Sequence, residues 1–504
     1  MAEVQTVTAQ RTGFAVMPSG NEQADETISY AITCLLTDSL TKDEAVQIAL
    51  LNNRSLQARL AELGIAYGDM IEAGLLKTPI LDFLYQKSDE PGTVASLEWS
   101  IALDFINVLT LPLRKCIAAS EFEAKKLEIA NDVLDLAFDV QAAYYSMQAA
   151  LQTGTMYRLA VEASEAAYEG AKMLHEAGNI TDLELHQEQL IYEEQKLNLA
   201  EAERDAVELR EELNMLMGLW GACTQWKISA ELPDMPKREF QGRGLESIAV
   251  YQRLDLAAAR QEIETIAREL GLENATRLLP ELEGSYVAER EGDGSWLRGG
   301  GVSFPVPIFN QGQGRVQRER ARLLQAQHRY YALAVDIRSE VRKGFGQMRK
   351  SRDRVRYYDT IMLPLLERIV EESHLMFNSM DVSTYELLER KRDEILGKRD
   401  RVEALKDYWV ARSELERAMG GSFACYSCAQ QPAGNGASGG GGQQAAMAGN
   451  GAMEGASNGN AAAGSGEAGA NGGAAGHGGS AGASGGAAGL TGGAGAAGGA
   501  GGGA

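Results

Sequence analysis

Two spans of the sequence alternate apolar and polar residues one by one, which is the period of a β-strand with one apolar face. In the span 79–105, Trp99 and Ile101 fall on the apolar side of this alternation. In the span 280–309, Phe304 has the same place. Each span also has a turn signal near its middle, at residues 90–92 and 292–294. Each span is therefore predicted to form a β-hairpin.

The second hairpin is followed by a junction between a strand and a helix. The alternation continues through Pro305 and Pro307 to Ile308, although proline cannot donate a hydrogen bond to a neighbouring strand. Gly312 and Gly314 then permit a turn that residues with a Cβ would resist, and a long charged helical pattern follows. We therefore expect the strand to run to about residue 308 and a helix to begin near Gly314.

Much of the remaining chain spaces its apolar residues at about 3.6 positions, as a helix requires. One helix is predicted between Thr41, which caps it, and Pro79. Another is expected to begin after Pro112, where the preceding strand ends, and to run to about Glu176. At 1.5 Å per residue this helix would be roughly 90 Å long. Its mixed spacing of three and four resembles that of coiled coils.

The second half of the chain repeats the landmarks of the first half. The capping box that Thr181 and Glu184 form at a helix start returns as Ser383 and Glu386, 202 residues later. The sequence therefore predicts a tandem duplication. The expected segments are an irregular N-terminal arm (1–39), a first repeat (40–218), a linker (219–243), a second repeat (244–420) and a disordered Gly/Ala-rich tail (421–504).

Charge and cysteine content limit the classes of protein that fit this chain. The formal net charge of −22 disfavours nucleic acid as a partner. No run of 18 uncharged apolar residues occurs, so no transmembrane helix is predicted, and residues 1–39 contain no visible export signal. Cys425 and Cys428 form a CxxC that lacks the second pair or histidine cluster of a zinc site, and a disulfide stays open if the protein is exported. No metal or cofactor is predicted.

No catalytic constellation stands out in the sequence. His175, His186, His328 and His374 lie on or beside predicted helices, without an HExxH motif, a GxSxG motif or a phosphate-binding glycine loop. The glycines at 299–301 lie inside a strand pattern, where close packing at a barrel wall explains them better than phosphate binding. The chain is therefore predicted not to be an enzyme.

The predicted strands imply an assembly of several chains. Four strands cannot close a barrel, and open sheet edges are not tolerated inside a bilayer. Strands of about ten residues with alternating faces are typical of outer-membrane barrels. In such a barrel we expect Trp99, Ile101 and Phe304 to face lipid. The water-filled lumen would take the polar residues Glu98, Ser100, Asp104 and Ser303.

Three stretches of the chain resemble the outer-membrane efflux protein (TolC-like) family: residues 41–79, the junction GVSFPVPIFNQGQG at 301–314, and the closing LERAMG at 415–420. The resemblance covers residues 40 to 420 and includes the internal repeat. It implies a mainly α-helical protomer with β-hairpins. Three identical protomers would form a 12-stranded barrel in the outer membrane, continued by a 12-helix barrel through the periplasm. Its implied partners are outer-membrane lipid, a periplasmic adaptor protein and an inner-membrane pump.

The resemblance also implies a gate at the periplasmic tip of the helices. The family has inward acidic residues there, and Glu386 and Glu389 fall on those positions, three apart and so on one helix face. Three copies would place six carboxylates around one constriction. The alternative is that both residues have only local roles: Glu386 is the N3 residue of a capping box, and Glu389 is a solvated helix residue. Val382 stands where some relatives have an arginine, so an arginine lock like theirs is not expected.

The leading functional hypothesis is a passive outer-membrane channel of a tripartite efflux system. One alternative keeps this channel but makes it the exit of type I protein secretion. A second alternative is a soluble coiled-coil scaffold, for which the long helices alone would suffice. A scaffold has no use for aromatic hairpins at equivalent points of both repeats, and it would be extracted without detergent.

Overall fold

The structure of the protein is a computed structural model that describes residues 2–18, 20, 22–87, 95–237, 242, 244–291 and 293–422. The turn signal at 90–92, Gly292, Cys425, Cys428 and the Gly/Ala-rich tail from residue 423 lie outside the described residues. No helix among the described residues has a stretch long and apolar enough to cross a bilayer.

Helices dominate the described chain. They are α1 (Ala2–Thr12), α2 (Glu22–Leu35), α3 (Lys42–Asn52), α4 (Arg54–Ala73), α5 (Phe105–Glu176), α6 (Asp182–Met217), α7 (Leu245–Gln252), α8 (Leu254–Thr276), α9 (Gln313–Tyr357), α10 (Leu363–Asn378) and α11 (Thr384–Met419). The strands are β1 (Ser39–Leu40), β2 (Ile80–Gln86), β3 (Ser96–Asp104), β4 (Lys227–Ile228), β5 (Glu283–Arg290) and β6 (Trp296–Ser303). The order of helix pair, hairpin, long helix and shorter helix occurs in both halves of the chain.

The hairpins β2–β3 and β5–β6 join into one antiparallel sheet of four strands in the order β2, β3, β5, β6. Trp99 of β3 lies opposite Phe83 on one side and Ala288 on the other. Its ring contacts that of Tyr286, with centroids 5.7 Å apart. The aromatic residues of both hairpins therefore share one face, as the alternation requires. In the described chain, the outer edges of β2 and β6 have no partner strand.

The first long helix begins earlier than the sequence suggests. The alternating pattern placed Phe105 in the strand and the helix start after Pro112, but α5 begins at Phe105 and includes Pro112. The cause is Asp104, whose side chain accepts hydrogen bonds from the amides of Ile106 and Asn107 and so caps the helix. A side-chain cap that replaces the missing intrahelical partners decides the boundary.

The single helix expected between Thr41 and Pro79 is wrong, because the structure has two helices, α3 and α4, separated at Asn53. Oδ1 of the Asn53 side chain accepts a hydrogen bond from the amide of Leu56 at 2.9 Å. Nδ2 of the same side chain donates to the carbonyl of Leu216, also at 2.9 Å. In the second half, α7 and α8 also separate, at Arg253, which does not cap α8 with its side chain but donates to the carbonyl of Ala418 of α11 at 3.4 Å. A contact with a distant helix therefore maintains a break inside a continuous apolar pattern.

The expectation of an irregular N-terminal arm is also wrong, since α1 and α2 occupy most of it. Lys126 of α5 forms an ion pair with Glu3 of α1 at 2.6 Å. Arg11 donates to the carbonyl oxygens of Gln252 at 2.6 Å and Gly420 at 3.1 Å. The helical form of this weakly periodic segment is stabilised by contacts with both halves of the chain.

The strand before the second long helix is shorter than expected. β6 ends at Ser303, so Phe304 and the two prolines that follow lie outside the sheet. The long helix itself extends from α9 to α10 through a π-helical turn at Tyr358–Met362. Gly312 precedes α9 with φ +74°, a left-handed conformation that glycine adopts at little cost.

The apolar core lies at mid-height along α5, where α3, α11 and the end of α6 meet it. Tyr144 of α5 is buried there and donates its hydroxyl to the carbonyl of Leu40 at 2.9 Å. Trp226 is buried and donates its indole N–H to Asn214 at 2.7 Å. This core joins the two halves of the chain and leaves the sheet at one end and the helix tips at the other.

Candidate channel wall and gate

The two helical hairpins end in turns of the same kind at the tip far from the sheet. α5 and α6 are joined through Gly178, which has φ +75°. α10 and α11 are joined through Met380, which has φ +64° although it carries a side chain. A left-handed conformation costs a residue with a Cβ about 1 kcal/mol. Met380 is also almost fully exposed, so nothing within the described protomer packs over this turn.

Both capping boxes predicted at the tip are present. The Thr181 hydroxyl accepts from the amide of Glu184 at 3.3 Å, and the Glu184 carboxylate accepts from the amide of Thr181 at 2.8 Å. The hydrogen bonds that the Glu184 carboxylate accepts from the amide and the hydroxyl of Thr181 lower the pKa of this carboxyl below its usual value. Ser383 and Glu386 exchange the corresponding bonds at 3.3 and 3.2 Å. The carboxylate of Glu386 is thus held at the first turn of α11.

Glu389 lies one turn further along α11, where its carboxylate is 3.5 Å from Nη2 of Arg392. Glu386 and Glu389 are both half-buried in the protomer. The structure therefore places both residues at the helix tip, and it gives each a local partner there. Their role as a gate stays a prediction, and so does the solvated alternative.

The carboxylate of Glu188 lies near this pair, and the sequence pattern did not indicate it as a candidate. Burial raises the pKa of the Glu188 carboxyl of α6, the charge of Glu389 raises it further, and the charge of Arg392 opposes the rise. Glu188 lies seven residues after the cap Thr181, so a search for acidic residues within two turns of each cap could have found it. Arg392 is largely buried, and its Nε has no hydrogen-bond partner in the protomer.

At the other end of the molecule, the sheet separates an apolar face from a polar face. Trp99 and Ile101 lie on the apolar face, and no described helix covers Ile101, which is exposed. The polar residues predicted for the lumen share the opposite face, as the registers Ser100 with Val287 and Asp104 with Glu283 require. Glu283 in turn lies opposite Ser303. The lipid-facing assignments remain predictions, and Phe304 is exposed just beyond the end of its strand.

The described residues contain no group of three or more His, Cys, Asp and Glu side chains arranged to hold a metal ion. The Gly-rich segment at 299–301 lies within β6, opposite Ser285, Tyr286 and Val287 of β5. It is part of the sheet, where small residues let strands and side chains approach closely.

The chain matches no known protein-family model. It is 22% identical over 390 residues to the cobalt-zinc-cadmium resistance protein CzcC of Cupriavidus metallidurans, a match that covers 76% of this chain and 90% of CzcC. It is 26% identical over 306 residues to the pyoverdine export outer membrane protein OpmQ of Pseudomonas aeruginosa, which covers 55% of this chain and 63% of OpmQ. The chain is therefore similar to outer-membrane efflux proteins of the TolC-like family.

The fold of this chain is similar to that of a solved outer-membrane channel. The structure of the outer-membrane channel OprN superposes with a TM-score of 0.63 at 15% identity, covering 76% of this chain and 90% of OprN. The prediction of an outer-membrane protein of a Gram-negative-type cell is confirmed, and so is the prediction that the chain is not an enzyme. Among the residues used for the resemblance, Pro305, Pro307 and Gly312 lie between β6 and α9, and Gly314 is the second residue of α9.

Proposed function

We propose that this chain is the outer-membrane channel component of a tripartite efflux system. Three copies would close a 12-stranded barrel in the membrane and continue as a 12-helix tunnel through the periplasm. The observation that carries the proposal is the four-stranded sheet, which has one apolar face and two edges without a partner strand in the described chain. It passes into two long helical segments, directly from β3 to α5 and through residues 304–312 from β6 to α9. The halves of the chain would be a tandem repeat, so each copy supplies two equivalent sectors of the wall.

The sheet supports the barrel because its open edges require partners. An unpaired row of N–H and C=O groups is not tolerated in the hydrocarbon region of a bilayer, where each unsatisfied group costs several kcal/mol. β2 and β6 are the edges of one protomer, and β6 of one copy can pair with β2 of the next. Repeated three times, this pairing closes a ring of twelve strands without an edge.

The helices support the tunnel by their length and by their uncovered sides. α5 has 72 residues, and at 1.5 Å per residue it is about 110 Å long, far more than a single domain requires. α6 and α10 lie at opposite edges of the helical layer, since α6 packs on α5 and α10 packs on α11. Both carry large apolar side chains that are exposed in the protomer, namely Leu183, Leu190, Leu197 and Val207 on α6, and Leu365, Leu375 and Met376 on α10. A neighbouring copy would cover them.

The partners and the cargo follow from the proposed role. A passive channel needs an energy source elsewhere, so the chain would act with a periplasmic adaptor protein and an inner-membrane pump. The names of CzcC and OpmQ refer to metal ions and to pyoverdine. Both are small solutes, so we favour a small solute over a secreted polypeptide as the cargo. The exposed aromatic face of the sheet is the observation that argues against a soluble scaffold.

The gate would be the ring of carboxylates at the helix tip. Glu386 and Glu389 from three copies, with Glu188 beside them, would repel one another when the constriction is empty and would attract cations. Arg392 offsets part of this charge within each copy. The tip would therefore be a cation-sensitive constriction rather than a neutral seal.

Experiments on the full-length protein test both the proposed channel and the proposed gate. First, detergent-extracted protein should have the mass of a trimer after correction for bound detergent, and it should form channels in planar bilayers. A detergent-independent monomer without channel activity would contradict the outer-membrane channel itself.

The gate is tested by Glu386→Gln combined with Glu389→Gln, because glutamine keeps the capping hydrogen bond and removes the charge. We expect a higher conductance and weaker block by divalent cations than in the unmodified channel. Glu371→Gln with Glu372→Gln is the matched control, since these exposed residues of α10 remove the same charge near the same tip. Equal behaviour of both double variants would remove the gate assignment and leave the channel intact.

A further inference from the structure

The segment 304–309 between β6 and α9 is an unusual piece of surface. It lies outside the sheet, yet it exposes Phe304, Val306, Ile308 and Phe309, and 93% of Phe309 is accessible. Exposed apolar residues in series on an irregular segment are costly in water. Their presence indicates that something apolar covers this segment in the assembled protein.

The length of the strands indicates what covers it. β5 and β6 have eight residues each, so a strand tilted by about 40° spans roughly 20 Å of membrane height. The apolar band of an outer-membrane barrel is about 25 Å tall. The connection between β5 and β6 carries Glu291 and Asp293, so it cannot lengthen the band at that end. The missing height must be supplied at the helical end of the sheet.

The segment 304–309 continues the apolar face of the sheet at that end. Val302 lies opposite Gly284, which in turn lies opposite Leu103, so Val302 shares the face of Trp99. Phe304 and Val306 extend the same alternation beyond the strand. Other exposed apolar residues lie at the same end of the sheet, where β2 begins and α5 starts: Leu75, Leu76, Ile80 and Leu109.

The backbone of the segment is adapted to an apolar environment. An unpaired amide N–H in hydrocarbon costs several kcal/mol. Pro305 and Pro307 have no amide N–H, and the amide of Ile308 donates to the carbonyl of Val306 at 2.9 Å. Half of the six amide positions therefore need no partner outside the segment. In a water-exposed loop this arrangement would have no advantage.

Basic residues follow the segment at the distance expected for lipid phosphates. Arg318 and Arg320 are exposed on the second turn of α9, and neither has an ion pair in the described part of the chain. A residue in the second turn lies about 9 Å beyond the helix start. Apolar side chains with basic side chains at their rim are typical of surfaces that contact an anionic lipid interface.

We propose that the segment 304–309 lies in the periplasmic leaflet of the outer membrane, with Phe304, Val306 and Ile308 among the acyl chains and the basic second turn of α9 at the level of the phospholipid phosphates. The membrane boundary then falls below the sheet, on the first turns of the long helices. This inference rests on the proposed outer-membrane channel. It assigns the strand-to-helix junction a role in contacting lipid as well as in changing the direction of the chain.

The test uses a fluorophore attached to Phe309→Cys in full-length protein whose native cysteines are replaced by serine. The protein is reconstituted into vesicles of phosphatidylcholine and phosphatidylglycerol that carry a quencher on the acyl chains. Ile101→Cys on the sheet is the lipid-facing reference, and Met380→Cys at the exposed turn of the helix tip is the aqueous reference. We expect the loss of fluorescence at position 309 to be comparable with that at position 101 and well above that at position 380.

The outcomes separate this inference from the proposed function. Quenching at 101 without quenching at 309 overturns the inference and leaves the channel standing. If position 309 is protected from both the lipid quencher and an aqueous quencher, a second copy of the chain covers the segment, and the inference is also wrong. If position 101 is not quenched either, the sheet does not face lipid, and the proposed function itself fails.

Discussion

Asp135 of α5 is a half-buried carboxylate that interacts with the charges of two arginines and two aspartates. Burial raises the pKa of its carboxyl from 3.8 to about 6; Arg417 and Arg253 oppose the rise, while Asp139 and Asp132 add to it. The folded state therefore binds this proton more tightly than the unfolded state. Between pH values of about 4 and 6, Asp135 lowers the stability as the pH rises, and above pH 6 its full cost is present.

We predict that Asp135→Asn stabilises the protein at pH 7.5 and not at pH 4. The gain at pH 7.5 should be on the order of 1 to 2 kcal/mol, after a discount for the solvent that reaches this side chain. Denaturant unfolding of the full-length protein at the two pH values measures the difference. Asp139→Asn removes an exposed carboxylate that pairs with Arg417 at 2.9 Å, and it serves as the control. An equal gain in the free energy of unfolding at both pH values would show that the titration of Asp135 is not the cause.

At the level of secondary structure elements, the π-helical turn at Tyr358–Met362 distinguishes the second long helix from the first. α5 is continuous at the corresponding height, whereas α9 and α10 meet at this turn and Pro364 follows it. Arg401 of α11 holds the turn through Asp359 and also contacts Asp234 of the linker at 3.3 Å. No residue of α10 is buried in the protomer. α10 therefore packs on α11 without a buried side chain of its own, and Arg401 holds the π-helical turn from which α10 begins.

We predict that Arg401→Met raises amide hydrogen exchange in α10. Exchange in the part of α9 nearest the sheet should stay unchanged. Loss of a partly exposed ion pair of about 1 kcal/mol should raise amide hydrogen exchange in α10 roughly fivefold. Peptide-resolved exchange measured by mass spectrometry reports both helices at once. Arg368→Met on α10 is the matched control, because Arg368 has no ion pair among the described residues. Similar exchange in both variants would mean that the Arg401 contacts do not position α10.

In the whole molecule, contacts between helices determine which residues of neighbouring helices lie at the same level along the helix axes. Three contacts form a continuous row across the helical layer: Arg158 with Glu203, Tyr157 with Arg399, and Arg401 with Asp359. The row ends on α6 at one edge of the layer and on the π-turn at the other. Val207 and Tyr357 lie within a few residues of its ends, and both are exposed in the protomer. In a closed ring of copies these two residues would meet across the interface.

We predict that Val207→Cys combined with Tyr357→Cys allows covalent trimers to form, in protein whose native cysteines are replaced by serine. A short bismaleimide should join neighbouring copies into species of two and three chains on a denaturing gel. The control pairs Val207→Cys with Tyr331→Cys, which is also exposed on α9 but lies about 39 Å away along the helix axis. Linkage in the control alone, or in neither variant, would contradict the proposed order of helices around the ring.

Features with a local cause were the ones that the sequence alone could determine. Alternation placed both hairpins, because side chains of a strand point to opposite faces by its geometry. The capping boxes at Thr181 and Ser383 were read directly, because their partners are three residues away. The low-complexity tail was assigned from its composition, but it lies outside the described residues. The same local character made Glu386 and Glu389 visible as candidates.

Only the tertiary structure decided the features whose partners are distant in the chain. The break at Asn53 depends on a hydrogen bond to Leu216, and α1 depends on Lys126 of α5. Glu188 lies near Glu389 only because α6 and α11 come together at the tip. The start of α5 is an exception, since the cap Asp104 is local but was hidden by an alternating pattern. The spacing of apolar residues along one chain can specify its hairpins and helices. Burial and long-range hydrogen bonds determine where these elements end and which surfaces stay exposed for contact with other copies.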